Sequence, residues 1–70
     1  MAARMKFKRT TSFTDTRALR ATDKALLCLI EGEELWIPLT LIDEDSEVSD
    51  VGDEGELVVS SWWARQQGLA

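Results

Sequence analysis

The clearest hydrophobic pattern in the chain is a pair of short apolar runs, Ala25-Leu-Leu-Cys-Leu-Ile30 and Leu35-Trp-Ile37, separated by Glu31-Gly32-Glu-Glu34 and closed by Pro38. Runs of this length bounded by glycine and proline predict two strands joined by a tight turn. With Glu31 and Gly32 at the centre of the turn, Ile30 faces Glu33, Cys28 faces Leu35 and Leu26 faces Ile37. Facing residues share a side of a sheet. Leu26, Cys28, Ile30, Leu35 and Ile37 therefore form one apolar surface, and Leu27, Leu29 and Trp36 the other. Apolar residues on both sides predict a hairpin covered on both faces, either in a small barrel or under a helix.

The flanking segments are shorter and more polar. Pro38 has no N–H for the ladder and ends the strand, leaving Leu39-Thr-Leu-Ile42 for a single 3₁₀ turn. Asp43 to Gly55 reads as an acidic loop, and Glu56-Leu-Val-Val-Ser60 as another strand. Ser60 or Ser61 is placed to cap a short helix over Trp62 to Gln67, which Gly68 ends in a left-handed conformation so that Leu69 folds back. Ahead of the hairpin, Thr16 to Ala21 alternates weakly and predicts an edge strand, followed by a turn at Thr22-Asp-Lys24. Residues 1–13 show no periodicity and read as a basic flexible tail, with any strand confined to Lys6 to Arg9. The expected fold is one small α+β domain over residues 14–70: a partly barrel-like antiparallel sheet of three or four strands with a short C-terminal helix. Its expected core is Leu26, Cys28, Ile30, Leu35, Ile37, Leu57, Val59, Trp36 and one of Trp62 and Trp63.

Composition narrows the chemistry. In 70 residues there is no histidine, no tyrosine and a single cysteine. An intrachain disulfide and the usual structural zinc sets cannot be assembled, and neither a phosphate-binding glycine loop nor a nucleophile elbow is present. The expectation is a protein that is not an enzyme and carries no cofactor or metal. Cys28, within an apolar run, reads as a small core residue. No segment is long and apolar enough for a signal peptide or a membrane span, which predicts a cytoplasmic protein with no membrane partner. A domain this small buries only about 60% of its unfolded surface, so a homo-oligomer is a natural source of extra stability.

Charge is divided along the chain. Residues 1–24 carry seven cations and two carboxylates, a net +5, whereas residues 25–70 carry Arg65 against eleven carboxylates, a net -10; together these give the overall -5. Asp43, Asp45, Glu47 and Glu54 match the first, third, fifth and last positions of a calcium loop. Val48, however, stands where that loop needs glycine, and the flanks read as strands. The acidic stretch is then either a solvated loop or a surface that competes with nucleic acid for a basic groove. The basic tail from Arg4 to Arg9 has three readings: a solubility tail, a partner of the acidic loop in the same or a neighbouring chain, or a contact to nucleic acid. Of the adjacent tryptophans, which point about 100° apart on a helix, one is expected in the core and the other exposed as a contact point. A stacking platform of tryptophans with Arg65 and the tail is the alternative, although the net negative charge disfavours direct nucleic-acid binding.

Two resemblances follow from these residues. Trp36-Ile-Pro38 is locally similar to the step before the last strand of SH3 domains. More extensively, Thr22-Asp-Lys-Ala25, Gly32-Glu-Glu-Leu-Trp-Ile-Pro38, Asp45-Ser-Glu-Val48, Gly52-Asp-Glu-Gly-Glu-Leu57, Trp62 or Trp63 with Ala64, and Gly68-Leu69 resemble small uncharacterised accessory proteins of phages and prophages. That resemblance spans residues 20–70 and transfers no catalytic or binding residue. It implies a non-enzymatic binder of host machinery, such as an inhibitor of CRISPR or another nuclease-based defence, acting in the cytoplasm of a bacterial host. The expected partner is a host protein, a nuclease or CRISPR effector, and the expected contact residues are Asp43, Glu44, Asp45, Glu47, Asp50, Asp53, Glu54, Trp62, Trp63 and Arg65. The alternatives are a nucleic-acid or nucleotide-binding module and a structural or assembly protein.

Overall fold

The computed structural model describes residues 6–69. Four strands, β1 (Thr10–Ala21), β2 (Ala25–Ile30), β3 (Glu33–Pro38) and β4 (Glu54–Ser60), form an antiparallel sheet in the order β3-β2-β1-β4, and a short helix α1 (Ser61–Gln66) follows β4. The sheet is not closed into a barrel; β3 remains an open edge. Two carboxylates, Glu33 and Glu34, and Pro38 blunt that edge against further strand pairing.

The hairpin has the register its turn dictates. Ile30 pairs with Glu33, Cys28 with Leu35 and Leu26 with Ile37. Glu31 and Gly32 both have positive φ, 51° and 84°, which is the backbone twist that joins two strands through two residues without splaying them. The Thr22–Lys24 turn also forms, closed by the Thr22 hydroxyl accepting the Ala25 N–H at 3.0 Å. Pro38 ends β3 and leads into a 3₁₀ turn over Leu39–Leu41.

The first strand departs most from the sequence reading. Residues 10–13, assigned there to the tail, are strand paired with β4, while Lys6 to Arg9 are not strand. Nor is β1 an edge; it lies between β2 and β4. Two bulges explain the weak alternation. One extra residue between Phe13 and Thr16, where Asp15 takes φ 57°, and a second at Leu19 re-phase the strand. Phe13, Thr16 and Ala18 consequently all turn inward, a spacing that no period-2 pattern matches. The Thr16 hydroxyl closes the first bulge by donating to the Phe13 carbonyl at 3.2 Å.

One side of the sheet carries the core. Phe13, Ala18, Leu26, Cys28, Ile30, Ile37, Leu57 and Val59 are joined there by Ile42, Val48, Trp63 and Ala64, with Leu35 packed at the margin. The opposite side is covered only in part: Leu27 is buried there and Leu29 half-buried. Trp36 is 48% exposed there, because the helix takes the other face. Helix α1 starts without a serine side-chain cap; Ser61 instead lies 2.9 Å from the Thr11 hydroxyl, tying the helix start to β1. Its end has both bonds of a Schellman motif, Leu69 N–H to the Ala64 carbonyl at 2.9 Å and Gly68 N–H to the Arg65 carbonyl at 3.1 Å. Gly68 supplies the required positive φ, 75°.

Cys28 is fully buried, and burial pushes its thiol up from 9.0 to about 11. Unfolding releases that thiol to its ordinary value. Between those values the unfolded chain binds fewer protons than the folded one, so stability falls as pH rises from about 9 to about 11. A lower urea midpoint at about pH 10 than at about pH 8, and thiol labelling no faster than unfolding, are the expected results.

Candidate functional site

The acidic segment from Asp43 to Asp53 is an ordered edging along β4. It begins at the bridge between Ile42 and Val59 and continues through Asp43 N–H to the Val58 carbonyl at 2.8 Å and Glu47 N–H to the Glu56 carbonyl at 2.9 Å. The Ser46 hydroxyl accepts the Val58 N–H at 3.1 Å and donates to the Val48 carbonyl at 2.8 Å. Val48 is wholly buried and plugs the segment into the core, so the position that breaks the calcium-loop pattern is an anchor. Among the described residues, no group of three or more His, Cys, Asp or Glu side chains is placed to hold a metal ion.

Two aspartates shape this segment from within. Asp43, 1% exposed, accepts the Phe7 N–H at 2.8 Å on one carboxylate oxygen and the Asp45 N–H at 2.9 Å on the other. Asp53, half-buried, accepts the Ser49 and Asp50 N–H groups at 3.0 and 2.9 Å. The tip is held to the sheet by Gly52 N–H to the Ala18 carbonyl at 3.0 Å and Ala18 N–H to the Asp53 carbonyl at 2.9 Å. A third carboxylate, Glu47, accepts the Glu56 N–H at 2.8 Å. It occupies the space beside Gly55, where a Cβ would come within 2.7 Å of it. Gly55 is required by its own φ of 138°, and a side chain there would also displace the Glu47 carboxylate from the Glu56 N–H.

The expected contact residues therefore divide. Asp43 and Trp63 are buried, the first because its carboxylate caps backbone amides and the second because helix α1 turns it into the core; neither is available to a partner. Glu44, Asp45, Glu47 and Asp50 remain exposed along the segment, and Glu54 and Glu56 continue the acidic surface on β4. Two cations enter it. Arg17 pairs with Glu54 at 2.6 Å, and Lys6 pairs with Asp45. Hydrogen bonding to Asp45 and its charge hold the Lys6 ammonium above its usual range, with smaller contributions from Asp43 and Glu44. The basic segment thus meets the acidic one in the same chain, through Lys6 and Phe7; Arg4 lies outside the described residues.

No family model matches the chain, and no curated protein or solved structure is significantly similar to it.

Trp62, 57% exposed, shares a helix side with exposed Arg65. The stacking platform loses two of its parts, because Trp63 is in the core and Lys6 is engaged by Asp45. Glu31, Glu33 and Glu34, counted among the eleven carboxylates but not among the expected contact residues, are also exposed, as is Asp15. Asp15 and Glu31 line an open cleft at the β1 bulge with Leu29 and Gly32. Glu31, Glu33 and Glu34 lie in the hairpin turn and on β3, at the opposite edge of the sheet from the acidic segment. No described helix is long and apolar enough to cross a membrane.

Proposed function

We propose that the chain is a non-catalytic, phage-type interaction protein that blocks a host nucleic-acid-processing defence complex, in the manner of an anti-CRISPR protein in the bacterial cytoplasm. The observation that carries this reading is the ordered acidic edging of β4, in which Glu44, Asp45 and Asp50 are exposed on a backbone fixed by Asp43, Ser46, Val48, Asp53 and the Glu47 carboxylate. Fixed carboxylates lose little conformational freedom on binding and present a negative potential of defined shape. A basic groove built for a phosphate backbone is the complementary surface, and Trp62 with Arg65 adds an aromatic anchor.

The test uses a purified RNA-guided nuclease complex and its DNA target. The protein is expected to compete with DNA for the complex, with an affinity that falls steeply as salt rises. Replacing Glu44→Gln, Asp45→Asn and Asp50→Asn together is expected to weaken binding by about tenfold or more without lowering stability by more than about 1 kcal/mol. Binding that ignores both salt and this triple substitution would sink the acidic-surface reading.

A further inference from the structure

The side of the sheet opposite the helix carries an ordered pattern that the acidic surface does not use. Pairing places Arg17, Leu29 and Glu34 in one row across β1, β2 and β3, and Arg20, Leu27 and Trp36 in the next. Arg17, Arg20 and Glu34 are exposed and Leu29 is half-buried, while Trp36 is 48% exposed. Each row therefore holds a cation on β1, a leucine on β2, and on β3 a group that attracts cations. That group is a carboxylate in the first row and an indole face in the second. Within one chain the two ends of a row are two strands apart, about 9–10 Å. Arg17 pairs instead with Glu54 on its other side.

We propose that this face binds a second copy of the chain in a twofold dimer whose axis runs along β2. Such an axis sets every β1 position of one copy over the β3 position in the same row of the other. Arg20 then lies over the partner's Trp36 and Arg17 beside the partner's Glu34, while Leu29 of the two copies meets on the axis; Leu27, 9% exposed, is already buried within each copy. Both rows are satisfied by one operation, which is the self-complementarity an isologous interface requires. Strands of the two sheets run in the same sense and align within the ~30° that sheet twist produces. With the axis on β2, only β1, β2 and β3 of each copy overlap and β4 lies outside the contact, so the interface is smaller than the ~800 Å² per partner of a standard one and the dimer is expected to be weak. A nucleic-acid strand fits the face less well, since Glu34 and Glu54 flank Arg17 in its row and would meet the phosphates.

Sedimentation equilibrium of the full chain from low micromolar to millimolar concentration tests this proposal. A monomer–dimer equilibrium is expected, with a melting temperature that rises with concentration. Trp36→Glu should raise the dissociation constant by about tenfold or more while the monomer keeps its circular dichroism, because Trp36 is outside the core. Glu34→Arg should weaken the dimer by setting two arginines together, and combining it with Arg17→Glu should restore it. A monomer at every concentration overturns the proposal, as does a dimer indifferent to Trp36→Glu or a double variant as weak as Glu34→Arg alone. Quenching of a monomer's tryptophan fluorescence by oligo(dT), abolished by Trp36→Glu, also overturns it and assigns the face to single strands.

Discussion

Trp63→Ala is expected to leave most of the chain unfolded at room temperature, whereas Trp62→Ala leaves it folded. The two residues are adjacent on α1, but Trp63 is 4% exposed and Trp62 57%. Truncating a buried tryptophan costs about 3–5 kcal/mol, and a single core of this size supplies no more than about 3–5 kcal/mol of net stability. The whole of the domain's stability therefore rests within reach of that one substitution. Trp62→Ala removes an exposed side chain and should move stability by no more than about 0.5 kcal/mol. Urea denaturation followed by far-ultraviolet circular dichroism reads both. Equal losses would mean that α1 is rotated about its axis from the orientation described. Because Trp62→Ala spares the fold, its effect on a partner can be read separately. A loss of binding to the nuclease complex would locate the helix end in the contact.

The hairpin was legible because one short turn fixes everything that follows it. Once Glu31 and Gly32 occupy the turn, strict alternation assigns every residue from Leu26 to Ile37 to a face. Burial was a different matter. Alternation separates Leu27, Leu29 and Trp36 from the core face, yet it does not say whether anything covers them, and Trp36 proves to be exposed. β1 escaped for a physical reason as well. Its first four residues read Thr-Thr-Ser-Phe, with one apolar residue in four, and its inward positions are re-phased by two bulges that leave no periodic trace. Hydroxyl side chains fit a half-buried strand without announcing it.

The same limit governs the site. Its charge was visible in composition alone, since the carboxylates cluster in sequence and the loop keeps Glu44, Asp45, Glu47 and Asp50 at the surface. The division of labour among those carboxylates was not. Asp43 and Asp53 cap backbone amides that become neighbours only once the segment lies along β4. Val48 and Ser46 look like loop residues in sequence, but the first is a core plug and the second a bracket between loop and strand. A local pattern records charge and turn propensity; it does not record which polar groups a tertiary contact will strand in the interior.

Asp43→Ala is the second substitution with a large expected effect, about 2–4 kcal/mol of lost stability. The side chain is 1% exposed, and its two oxygens accept the Phe7 and Asp45 N–H groups. Alanine leaves both donors without that acceptor, and because both bonds are part-buried each loss falls at the lower end of the about 1–3 kcal/mol that an unsatisfied donor costs. Asp43→Asn separates acceptor loss from loss of shape. The amide oxygen can serve one N–H, but its NH₂ then faces the other donor, so an intermediate loss of about 1–2 kcal/mol is expected. Hydrogen exchange distinguishes this account from general destabilisation. Asp43→Ala should speed exchange of the Phe7 and Asp45 amides well beyond the change at Leu26 to Ile30, where the hairpin is held by its own ladder. Exchange raised equally everywhere would mean that Asp43 acts only through global stability. The partner surface should respond too. Asp43 is too buried to touch a partner, yet freeing the chain at Asp45 loosens the carboxylates it positions. Asp43→Ala is therefore expected to weaken binding to the nuclease complex even under conditions where the sheet remains folded.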